Sequence, residues 1–81
     1  MTAASFDLRR VDLNLLVAFD ALMAERSVTG AAIRMSVTQS AMSASLARLR
    51  ALLDDPVLVR NGRGMLVTPL AEAMTARVRE I

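Results

Sequence analysis

Residues 27–50 read SVTGAAIRMSVTQSAMSASLARLR, and this stretch decides the fold. It divides into two helices with a very short turn between them. Ser27 can accept a backbone hydrogen bond at the start of the first helix, after which Val28, Ala31, Ala32 and Met35 share one helical face. Ser36-Val37 interrupts the pattern. Thr38 can cap a second helix that starts at Gln39, along which Met42, Leu46, Leu49 and Leu53 recur at helical spacing.

The second helix has two unlike sides. With Gln39 at zero and ~100° per residue, Met42, Leu46, Leu49 and Leu53 cluster at roughly 280–340°, whereas Ser43, Ala47, Ser40, Ala51 and Ala44 occupy roughly 40–140°. The first set is a core stripe. The second is a wall of small side chains with Gln39 at its edge, short enough to be pushed deep into another surface. A DNA major groove, ~12 Å wide, admits one helix closely. An ordinary solvent-facing helix rich in Ala and Ser shows the same pattern, so pattern alone leaves both readings open.

Before this pair, Asp12 or Asn14 can cap a helix running to about Glu25, with Leu15, Leu16, Phe19, Leu22 and Met23 as a wide apolar face. Residues 1–11 read as a loose lead-in. Three helices in succession with short links predict a three-helix core. After Leu53, Asp54-Asp55-Pro56 stops the helix, because Pro disfavours helical backbone in the residue before it. Val57-Leu58-Val59-Arg60 then reads as a short strand, Asn61-Gly62-Arg63-Gly64 as a turn tolerant of positive φ, and Met65-Leu66-Val67 as the returning strand. Two strands alone are marginal, so this hairpin must lean on the helices. Thr68-Pro69 is a helix start, a capping hydroxyl followed by Pro at the first helical position. Leu70, Met74, Val78 and Ile81 repeat along that last helix and leave an apolar stripe. It can pack on the first helix or on a second copy of the chain, and two-fold pairing is the commonest closed assembly.

Composition narrows the chemistry. Eighty-one residues make one small domain that buries a limited share of its surface, and an apolar fraction of 54% points to a partner-covered face. There is no Cys and no His, which removes disulfides, thiolate metal sites and the commonest general base, and no cofactor or metal is expected. Phe6 and Phe19 are the only aromatic residues, too few for a single-strand stacking platform. All ten basic residues are Arg, and the net charge is only +2. Residues 1–40 are balanced, so the excess lies in residues 41–81, with six Arg against four acids, a weak nucleic-acid signal rather than a polybasic tail. No signal-peptide pattern opens the sequence and no apolar run approaches ~18–20 residues, so a cytoplasmic location with no membrane contact is expected. Gly62 and Gly64 lie in the hairpin rather than between a strand and a helix, which excludes a nucleotide fingerprint.

Helix, helix-turn-helix, Arg-bearing hairpin and last helix make a mainly α fold with a small β-hairpin wing, the layout of a winged helix-turn-helix. The segments DLNLLVAFDALMAERSVTGAA, VTQSAMSASLARLR and DDPVLVRNGRGMLVTPLAEAM, from about Asp12 to Ala73, resemble the N-terminal DNA-binding domain of LysR-type transcriptional regulators. The likeness is strongest at Ser27, Thr29, Ala31 and Ala32, at Thr38-Gln39 with Ser43, and at Val59-Arg60 followed by Thr68-Pro69. The DLNLL opening and TPLAEAM ending look most like the branch of nodulation and aromatic-catabolism regulators. Departures from the family pattern are Val28 for a larger residue, Ser40 for a frequent Pro, Ala44 for a basic residue and Asp54 for a helix-ending Gly.

The resemblance implies a bacterial transcription factor that binds double-stranded DNA at an interrupted inverted-repeat operator. It implies a winged helix-turn-helix over residues 12–67 and the start of a linker and dimerisation helix over residues 68–81. Homodimers would form through that helix, by Leu70, Met74, Val78 and Ile81. The family's effector-binding domain, with its small-molecule effector, has no counterpart in these residues, so the sequence is expected to be a fragment or a truncated product. The base-reading candidates are Gln39, whose amide can pair with adenine in bidentate fashion, with Ser40, Ser43 and Ala44 beside it. Candidates for phosphate or minor-groove contact are Ser27, Thr29, Arg34, Thr38, Arg48, Arg50, Arg60 and Arg63. Of these, Arg60 and Arg63 have the means of delivery, a hairpin reaching a narrow groove that attracts Arg. Ser27 and Thr38 are caps first, and any single Arg also fits a plain solvated face. The rival reading is a helical protein-interaction or dimerisation module with no DNA role. An enzyme is poorly supported, because the carboxylates that would have to act are scattered or at caps.

Overall fold

The computed structural model describes residues 13–62 and 64–80. Its elements in order are α1 (Leu13–Glu25), α2 (Val28–Met35), α3 (Gln39–Leu53), β1 (Leu58–Asn61), β2 (Gly64–Val67) and α4 (Pro69–Arg79). The lead-in over residues 1–11, Asp12 as a cap, Arg63 and Ile81 lie outside the described residues. Asn14 sits inside the first turn of α1 rather than at its cap, since the helix already starts at Leu13.

Hydroxyl caps set the other helix starts. The Ser27 oxygen accepts the Gly30 N–H at 3.0 Å, that of Thr38 the Ala41 N–H at 3.0 Å, and that of Thr68 the Ala71 N–H at 3.2 Å. Each satisfies one of the donors a helix start leaves without an intrahelical partner. Between α2 and α3, Ser36 takes a left-handed conformation (φ 57°) and closes α2 by donating its N–H back to the Ile33 carbonyl, which makes the turn tight.

α1 is the element the core forms around. Seven of its residues are buried, with Phe19 and Leu22 fully enclosed. Ala31 and Ala32 of α2, Met42, Leu46 and Leu49 of α3, Leu58 of β1 and Ala71 of α4 complete the same cluster. Each large apolar side chain so enclosed contributes about 1.5–3 kcal/mol. The apolar stripe of α4 is partly met from within, because Met74 and Val78 pack against this cluster while Leu70 remains 42% exposed.

β1 and β2 pair antiparallel in the register Leu58↔Val67 to Asn61↔Gly64, leaving a two-residue turn whose Gly62 has φ 60°. A two-residue hairpin turn needs a positive φ at its first central residue, which Gly supplies without strain. The first strand begins one residue later than its sequence suggests. Val57 has φ +67°, outside any strand conformation, and its side chain is fully buried.

α3 ends on Asp54, also left-handed at φ 50° and ψ 47°. A non-glycine residue there is strained by Cβ crowding. Asp54→Gly is therefore expected to stabilise the domain by about 0.5–1 kcal/mol, read as a rise in the urea midpoint with an unchanged slope. A fall in the midpoint would show that the carboxylate, not the backbone, dominates at this position.

Candidate nucleic-acid interface

Ridge and hairpin lie on one side of the molecule. Gln39, Ser40, Ser43, Ala44, Ala47 and Ala51 are all exposed, while Met42, Leu46 and Leu49 on the opposite side of α3 are buried. The helix is thus held by its apolar stripe with its small side chains outward. Leu53, the last of the stripe, is only partly buried.

A cleft of about 460 Å³ opens between the start of α2, the first three turns of α3 and the hairpin. Its walls are Arg26, Ser27, Val28 and Thr29, then Gln39, Ser43, Leu46 and Arg50, then Arg60, Gly64 and Met65. Six of the residues expected to contact DNA, Ser27, Thr29, Gln39, Ser43, Arg50 and Arg60, come together here from three separate elements. Arg26, Arg50 and Arg60 are among the residues that line the cleft and no acidic residue is, so its field favours a polyanion.

Other candidates lie elsewhere. Ser40 and Ala44 are on the ridge but further round α3, and Arg48 is exposed on the same helix outside the cleft. Thr38 lies at the head of α3 with its oxygen engaged as a cap. Arg34 donates to Glu25 at 3.2 Å in an exposed ion pair away from the cleft. Such a pair is worth only about 0–1 kcal/mol, weak enough to be exchanged for a phosphate.

Arg50 differs most from its expected role. Its Nε–H donates to the Pro56 carbonyl at 2.7 Å and an Nη2–H to the Leu58 carbonyl at 2.8 Å, so it grips the backbone leading into β1. Arg26, by contrast, enters the cleft without having been singled out. The signal was its place next to the capping Ser27, where a left-handed backbone (φ 52°) turns α1 into α2.

A second groove separates α1 from α4. Leu13 (69% exposed), Val17 (55%), Leu16 and Val78 line it, with Asp20 and Arg79 joined across it at 3.0 Å. Among the described residues, no helix is long and apolar enough to cross a membrane.

Known proteins are similar to this chain in sequence and in fold. The chain is 53% identical over 72 residues to nodulation protein D 1 of Neorhizobium galegae, covering 89% of this chain and 23% of that protein. A probable transcriptional regulator from Pseudomonas aeruginosa superposes with a TM-score of 0.83 at 47% identity, over 89% of this chain and 24% of that one. The crystal structure of the CbnR DBD in complex with DNA superposes with a TM-score of 0.77 at 26% identity, over 86% of this chain and 80% of that one. The chain therefore spans about a quarter of the length of the nodulation protein. The match to bacterial regulatory helix-turn-helix proteins of the lysR family extends over residues 13–72, most of the sequence, and the chain belongs to that family of transcriptional regulators.

Proposed function

We propose that this chain binds double-stranded DNA as the reading head of a LysR-type regulator acting in the cytoplasm. α3 enters a major groove and the hairpin reaches the adjoining minor groove. The observation that carries this reading is the cleft itself, whose lining joins Gln39 and Ser43 of the α3 ridge to Arg26, Arg50 and Arg60 and includes no acid. Phosphate contacts from Arg26, Arg60, Ser27 and Thr29 supply affinity and register, and Gln39 with Ser40, Ser43 and Ala44 reads base edges. Thr38, Arg34, Arg48 and Arg63 extend the phosphate and minor-groove contacts. The unit spans residues 12–67, and residues 68–81 begin a linker helix.

The domain works as a homodimer on an interrupted inverted repeat, paired through α4 by Leu70, Met74, Val78 and Ile81. The exposure of Leu13 and Val17 in the α1–α4 groove, and of Leu70 in the first turn of α4, supports this.

Gln39→Ala is expected to cost about 1–3 kcal/mol at a selected site and to relax one or two base positions. The measurement is selection of genomic fragments with the purified domain, followed by titration of the selected site and its single-base variants. Equal weakening on every sequence would remove Gln39 from base reading. An absence of salt-dependent binding to any duplex would return the chain to the protein-interaction reading.

A further inference from the structure

The four residues that join α3 to β1 are held more tightly than a loop requires. The Leu58 N–H donates to the Pro56 carbonyl at 2.6 Å, an i to i+2 bond centred on Val57 with its φ of +67°. This is the γ-turn of positive central φ, the rare and strained one, here carried by a β-branched residue. Such strain persists only where the surroundings over-determine it. Here they do so from three sides. Asp55 Oδ2 accepts from the Val57 N–H at 2.8 Å and from the Thr68 hydroxyl. The Thr68 N–H donates to the Val57 carbonyl at 3.0 Å. Arg50, reaching forward from the last turn of α3, holds the carbonyls on either side of Val57.

We infer that Arg50 is a positioning residue, which sets the pitch of the hairpin against α3 and so delivers Arg60 to the DNA-facing cleft. A planar guanidinium fixes two acceptors in distance and angle at once, which an ammonium cannot do. Arg60 lies two residues beyond Leu58 on the same strand and lines the cleft that Gln39 and Ser43 also line. A hairpin of two four-residue strands has little stiffness of its own. Its direction therefore follows from its root. This inference rests on the DNA-binding reading for its functional half, and on the free protein for its structural half.

The test uses the whole 81-residue chain with Arg50→Met, Arg50→Lys, Arg60→Ala and the Arg50→Met/Arg60→Ala double variant. In the DNA-free protein, Arg50→Met should speed hydrogen exchange of the amides of residues 58–61 and 64–67 by about tenfold while α1 and α2 keep their protection. Arg50→Lys should fall between. On a mixed-sequence duplex, Arg50→Met should weaken binding about as much as Arg60→Ala, roughly tenfold, with the salt slope flattened by about one contact. The double variant should then be no more than about twofold weaker than Arg60→Ala alone, because one variant acts through the other. Multiplying effects, with a slope flattened by about two contacts, would make Arg50 an independent phosphate ligand and overturn the proposal. Unchanged hairpin exchange in the DNA-free Arg50→Met chain would overturn it too. If the unaltered chain binds no duplex, the DNA reading falls, and hydrogen exchange alone still decides whether Arg50 holds the hairpin.

Discussion

Phe19→Ala is expected to lower the melting temperature by about 15–30 °C, the largest effect of any single truncation in this domain. Phe19 is one of two aromatic residues in the sequence and is only 2% exposed, at the centre of the cluster to which every helix and β1 contribute. Truncation removes the ring and leaves a void that small neighbours such as Ala18, Ala21, Ala31 and Ala32 are too short to fill. A loss of about 3–5 kcal/mol follows for a buried Phe. A domain of this size has a total stability of about 4–12 kcal/mol, so the loss runs from about a quarter of it to the whole. Thermal melting followed by far-UV circular dichroism measures the shift, and Phe19→Leu, which keeps most of the volume, should lose far less. A drop of only a few degrees for the Ala variant would mean that the core closes over the void, and that α1 is not the element it is organised around.

The second large effect concerns binding rather than folding. Ser43→Glu is expected to weaken binding to every duplex by at least about 2–4 kcal/mol, thirty- to several-hundredfold in Kd. Ser43 is exposed on α3 and lines the cleft with Gln39 and Arg60. If the ridge enters a major groove as proposed, a glutamate there lengthens a side chain that has to be short and aims a carboxylate between two rows of phosphates. The fold should be untouched, since an exposed helical position loses a poor helix former and gains a better one. Ser43→Ala provides the comparison. If smallness is what matters it stays close to the unaltered chain, and if the hydroxyl reads a base it loses affinity at selected sites only. A Glu variant that still binds within about threefold would show that α3 does not enter the groove by this edge.

Much of this architecture can be read from side-chain chemistry spaced along the chain. Ser27, Thr38 and Thr68 mark helix starts because a hydroxyl just before an apolar period has one obvious partner, the N–H three residues on, and each makes that bond. The split of α3 into a buried stripe and an exposed ridge follows from the 3.6-residue period alone. Gly62 in an Asn-Gly context marks the hairpin turn for a similar local reason.

What stays hidden depends on contacts that no local rule specifies. Val57 looks like the first residue of a strand, since β-branched residues favour strands; its left-handed backbone is imposed by Asp55, Thr68 and its own burial. Arg50 resembles any Arg on a helix surface until the carbonyls of Pro56 and Leu58 are brought to it. Arg34 meets Glu25 only because α2 folds back beside the end of α1.

Thr68 carries a mechanical consequence. Its single side-chain oxygen donates its proton to Asp55 at the hairpin root and accepts the Ala71 N–H in the first turn of α4. The last helix and the arm bearing Arg60 are thus fastened by one peg. Swinging α4 away from the hairpin root would therefore oblige that hydroxyl to release either Asp55 or the Ala71 N–H.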